Sequence, residues 1–152
     1  MNTLSINKFR ALVATCVFAL TTAAPALHAQ LNRSGAKVNV PFAFEVDRTH
    51  LPAGDYVITK MTDRTFLIRG NSAQALVTVD HKEGNGPTQL GKIVFVRYGD
   101  QYFMHELWNQ GSSMYESFVE SKDESRVRAE IAAVTHKPAA GVEVAVSLAP
   151  SR

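Results

Sequence analysis

Cysteine is nearly absent from these 152 residues, and the single one, Cys16, falls within the first thirty. A disulfide framework is therefore excluded, as is a cysteine nucleophile in the body of the chain. Long apolar runs are missing as well. The most apolar stretch, Ala11 to Leu20, falls short of the roughly 20 residues needed to cross about 30 Å of hydrocarbon. Acidic residues are missing from the first 29 positions, where Lys8 and Arg10 stand alone. Without those two, the 16 basic side chains come down to the same number as the 14 acidic ones. The chain beyond Ala29 is thus formally neutral and has no field to steer nucleic acid or an anionic membrane.

What the first 29 residues do contain is a basic start, a ten-residue apolar centre and the small-residue ending Ala24-Pro25-Ala26-Leu27-His28-Ala29. That order reads as a secretory signal peptide. Cleavage is expected after Ala29, with Ala26 as the alternative. Thr15 is a poor neighbour for a lipid-bearing cysteine, so Cys16 reads as a small hydrophobe within the leader. The expected mature protein is exported, periplasmic or extracellular, and has neither cysteine nor a transmembrane anchor. About 120 residues suffice to bury a core without covalent staples.

After a polar lead over 30–36, Val38, Val40, Phe42, Phe44 and Val46 recur at every second position, the period of a strand. Pro41 cannot donate to a ladder and places this strand at an edge or a bulge. Leu51-Pro52-Ala53-Gly54 is a turn. Further strands are expected over 56–60, 65–69 and 74–79, separated by turns at 62–64 and 70–72. The polar segment His81 to Gly91 reads as an eleven-residue loop. Lys92 to Tyr98 is apolar on both alternating sets, as in a strand covered on both sides, and Gly99-Asp100 turns it into a return strand over 101–109. A short strand over 114–119 follows.

Ser121 with Glu124 forms a capping box, and Val127, Ile131 and Val134 lie along one helix face. The spacing predicts a helix over 120–135, an i,i+4 pair between Glu124 and Arg128, and a stop at Pro138. The tail over 136–152 alternates again at Val142, Val144, Val146 and Leu148, which suits a late strand. Taken together, the pattern predicts a mainly β domain over 37–119, an antiparallel sandwich or small barrel of seven or eight strands. One C-terminal amphipathic helix covers a face or an end.

No convergent catalytic set stands out. His50, His81, His105 and His136 are isolated, without a second ligand at i+2 on a strand or i+4 on a helix, so no metal site is expected. No serine sits in a Gly-x-Ser-x-Gly elbow. Gly84-Asn85-Gly86 lacks the third glycine, the Lys-Ser/Thr ending and the helix of a phosphate loop. No cofactor is expected. The feature with the best claim to function is aromatic: Tyr98, Tyr102, Trp108 and Tyr115, with His105 and Glu106 among them, form a candidate recognition surface. Strict alternation over 101–109 places Tyr102, Met104, Glu106 and Trp108 on one face and Phe103, His105 and Leu107 on the other.

Val38-Asn39-Val40-Pro41-Phe42-Ala43-Phe44, Leu51-Pro52-Ala53-Gly54-Asp55-Tyr56, and Phe95-x-Arg97-Tyr98-Gly99-Asp100-x-Tyr102-Phe103 followed by Trp108 together cover about residues 37 to 119. In these stretches the chain resembles small exported proteins of soil bacteria of the acidobacterial type, a group to which no activity is assigned. The resemblance implies a signal peptide and an all-β body, and it transfers no site residue.

The expected function is accordingly that of an exported, non-enzymatic β-domain, binding a protein or envelope component or serving a structural role in the envelope. A homo-oligomer through the aromatic face is the accompanying expectation, and nucleic acid is not an expected partner. The alternative is a small secreted hydrolase or ligand-carrying barrel with a pocket near the 81–91 loop, using His81 or His105 with a carboxylate.

Overall fold

The computed structural model describes residues 35–149. The leader, its cleavage positions and Cys16 lie outside them. Ten strands and one helix follow in the order β1 (Ala36–Val40), β2 (Phe44–Val46), β3 (Thr49–Leu51), β4 (Gly54–Lys60), β5 (Thr65–Arg69), β6 (Gln74–Glu83), β7 (Lys92–Tyr98), β8 (Gln101–Trp108), β9 (Met114–Phe118), α1 (Lys122–Thr135) and β10 (Val142–Ser147).

The chain is mainly β with one helix near its C-terminal end, as its periodicities predict. The apolar run over 38–46, however, is two strands. Pro41, lacking an N–H, interrupts the ladder, and the chain bends there, leaving β1 paired with β4 and β2 with β8. Its alternation survives the bend: Val38, Val40, Phe44 and Val46 are all buried and Phe42 packs against them. A two-residue turn, with Asp47 at a left-handed φ of 53°, then returns β2 into the short β3.

The strands are joined in the sequence β1-β4-β5-β6-β9-β8. β7 occupies the whole of one edge of β8, so β9 and the β2–β3 hairpin share the other, and β10 pairs the far side of β7. The Ala149 N–H donates to the Lys37 carbonyl at 2.7 Å, so the chain just past β10 meets β1 in one backbone hydrogen bond. The eight strands β1, β4, β5, β6, β9, β8, β7 and β10 thus form one path whose two ends are linked by that bond, the arrangement of an open sandwich or barrel. β6 belongs to both halves. Its first five residues pair β5 and its last five pair β9, so the strand runs to Glu83. The eleven-residue loop expected from His81 thus shortens to residues 84–91.

Apolar side chains from all ten strands fill the interior, with Leu51, Val79 and Phe95 fully enclosed and Phe42 and Phe44 edge-on to Phe95. Val144 and Val146 of β10, and Leu148 just after it, pack against the same core. The helix lies on the outer face of β7 and β8, where Val127 meets Tyr98 and Phe103. That explains why β7 is apolar on both sides. The Ser121 Oγ caps the helix by accepting from the Glu124 N–H at 3.0 Å. Two expectations for the helix do not hold. Val134 is 82% exposed, because the contact stripe stops at Ile131. Glu124 does not pair with Arg128: it turns toward the sheet, and Arg128 pairs with Glu120.

Candidate functional site

The outer face of β8 decides where the candidate residues go. The ladder between β7 and β8 pairs Val94 with Glu106 but Phe95 with Met104, so His105 is an extra residue opposite nothing, a β-bulge. A bulge shifts side-chain parity. Tyr102, Met104 and Leu107 face the core, whereas Phe103 lies under the helix, and His105, Glu106 and Trp108 share the outer surface. The strict alternation expected over 101–109 is corrected accordingly.

Among the six candidates, Glu106, Trp108 and Tyr115 come together. The Trp108 Nε1–H donates to Glu106 Oε2 at 2.7 Å, and the indole stacks on Tyr115 with ring centres 4.4 Å apart and planes 19° from parallel. The register places Lys92, Trp108, Tyr115 and Lys82 directly opposite one another across β7, β8, β9 and β6. Lys92 Nζ lies 5.3 Å from the Trp108 ring centre, within cation–π range. The far edge of the indole rests on Gly84, where a Cβ would overlap the ring. In this row of cation, indole, phenol and cation, Lys92, Trp108 and Tyr115 are half-buried and Lys82 is exposed.

The other three candidates lie elsewhere. Tyr102 stacks on Phe42 at 3.9 Å and helps close the core. Tyr98 is buried beneath the helix. Burial, chiefly, holds its phenol above the ordinary range; Glu124 adds to the rise, while a hydrogen bond and the charge of Arg128 oppose it. His105 Nε2 is 2.7 Å from Glu124 Oε1, a carboxylate whose side chain is only 3% exposed. In a capping box that carboxylate would reach back to the N-cap; here it ties the first helical turn to the sheet.

A second His–carboxylate pair was not legible beforehand. His81 and Glu116 stand directly opposite on β6 and β9, on the same face as Val79, Phe118 and Leu107, and the His81 Nδ1 contacts Glu116 Oε2. Only the β6–β9 register reveals this pair, and expecting a loop from residue 81 hides it. A cleft of about 220 Å³ lies between Val46-Asp47, Leu76–Thr78 and Phe118-Val119, and neither His81 nor His105 lines it. No group of three or more His, Cys, Asp or Glu side chains among the described residues is placed to hold a metal, and no helix among them is long and apolar enough to cross a membrane. No family model, curated protein or solved structure matches the chain.

Proposed function

We propose that the chain is an exported β-domain that works through its surface, binding an envelope component or a partner protein, and that it does not turn over a substrate. The observation that supports this reading is the row Lys92–Trp108–Tyr115–Lys82. Its aromatic members are half-buried and held rigidly by stacking and by Glu106, so little side-chain freedom is lost when a partner covers them. The leader expected over residues 1–29 and the neutral mature chain fit an exported protein whose contacts are not steered by net charge.

The hydrolytic alternative draws on the two His–carboxylate pairs, since a carboxylate orienting an imidazole is half of a general-base device. Among the described residues neither imidazole has a hydrogen bond to a hydroxyl or amine that it could activate. The pairs fit better as ties between elements: β6 to β9, and helix to sheet.

Co-sedimentation of the purified mature chain with a bacterial envelope fraction tests the proposal. The wild type should bind saturably, and Trp108→Ala and Lys82→Ala/Lys92→Ala should release it while their thermal melts stay cooperative. Equal binding by all three proteins overturns the assignment of the row. The intact mass of protein exported from a bacterial host should correspond to a chain beginning at Gln30 or, for the alternative cut, at Leu27.

A further inference from the structure

A cleft of about 420 Å³ opens over β1, β4 and β5, lined by Lys37, Asn39, Val57, Arg69 and Asn71 among others. Its geometry follows from the register. Lys37 of β1, Val57 of β4 and Arg69 of β5 lie directly opposite one another across three neighbouring strands. They share the outer face, since Val38, Tyr56, Ile58 and Ile68 at the alternating positions are buried in the core. Strands about 4.8 Å apart put the two cationic residues roughly 10 Å apart at the backbone, close enough for both long arms to converge above Val57. Among the described residues neither Lys37 nor Arg69 has an ion pair or side-chain hydrogen bond. Elsewhere on the surface Arg64, Arg126, Arg128 and Lys60 all have carboxylate partners.

The remaining lining residues define what would satisfy the two cations. Val57 is partly exposed and forms an apolar floor between them. Asp55 is the one acid in the lining, and it already accepts from Asn39 Nδ2 at 2.8 Å. Two cations against one carboxylate leave a single positive charge. A doubly charged head would be over-supplied with charge and would sit near Asp55, whereas a monoanion balances the site. Arg69 offers the two-pronged donor that matches a carboxylate, and Lys37 a second point charge.

We propose that this cleft binds a small carboxylate with an apolar body, its head held between Arg69 and Lys37 and its body lying over Val57. The site shares no strand with the Trp108 row, so it stands or falls independently of that reading.

Isothermal titration of the full mature chain with octanoate, acetate, octanol and inorganic phosphate tests it. Octanoate should bind saturably, acetate and octanol should each bind at least roughly tenfold more weakly, and Lys37→Gln/Arg69→Gln should weaken octanoate by roughly tenfold or more, the loss expected for charge-assisted hydrogen bonds. The Trp108→Ala protein should bind octanoate like the wild type. Octanol binding as well as octanoate, phosphate binding as tightly as octanoate, undiminished binding by the double variant, or no saturable binding each overturns the proposal. Both substituted side chains are exposed, and a circular-dichroism melt checks that the variant remains folded.

Discussion

At the scale of single residues, the least replaceable side chain outside the core is Glu124. Its carboxyl group is nearly fully covered, meets His105 Nε2 at 2.7 Å and occupies the helix's first turn. Glu124→Ala leaves the imidazole unpartnered and is expected to cost about 1–3 kcal/mol, read from the urea midpoint at constant slope. Gly84→Ala acts on the opposite end of the same face by driving its Cβ into the indole. The Trp108–Tyr115 stack should part, and the fluorescence of the protein's single tryptophan should shift to the red. Tyr98 sets a limit at alkaline pH. Burial holds its phenol above the usual value near 10, so in the folded state it keeps a proton that the unfolded chain has already released. Its share of stability is therefore intact below about pH 10 and declines as pH climbs through the folded phenol's pKa. Tyr56, raised by burial in the same way, adds to the decline. Denaturation at about pH 8 and about pH 10.5 should differ more for the wild type than for Tyr98→Phe.

At the scale of elements, the helix shows which parts of the sequence carried reliable information. Ser121 and Glu124 mark its start because capping is a local exchange between a hydroxyl and a backbone N–H, and Ser121→Ala should cost about 1 kcal/mol in a thermal or chemical melt. Val134→Ala, at an exposed position, should stay within about 0.5 kcal/mol. The direction in which Glu124 points was not legible. An i,i+4 rule sees Arg128, but the competing partner, His105, is 19 residues back in the chain. The return strand makes the same point. Gly99 at a φ of 61° fixes the hairpin by pairing Tyr98 with Gln101, and an unbroken ladder would then set Lys92 against Leu107. The extra residue at His105 moves Lys92 onto Trp108 instead. Nothing in the local pattern announces that bulge, so the aromatics were visible as a group while the row they form was not. Lys37 and Arg69 were hidden for the related reason that cross-strand neighbours are set by register, and register was not available from spacing alone.

At the scale of the whole molecule, the mainly β architecture with one late helix was readable because alternation and turn residues agree from Val38 to Leu148. The closure was not, since it rests on Ala149 reaching Lys37 across the full chain. The segment after residue 140 supplies β10, the Ala149 side of that seam and the core side chains Val144, Val146 and Leu148, so a chain ending at residue 140 should expose the outer edge of β7 and uncover Val144's neighbours. Such a truncation is expected to melt at lower temperature and to aggregate on heating, as light scattering during the melt would report.

The strand shared by the two halves has a consequence for how the molecule comes apart. Because Gln74–Thr78 is laced to β5 while Val79–Glu83 is laced to β9, neither half can open fully without unlacing part of a strand that both share. Deuterium should therefore enter the amides around Val77 and Val79 last, and it should enter them in a single concerted opening, so that the domain behaves toward exchange as one lock with a single bolt.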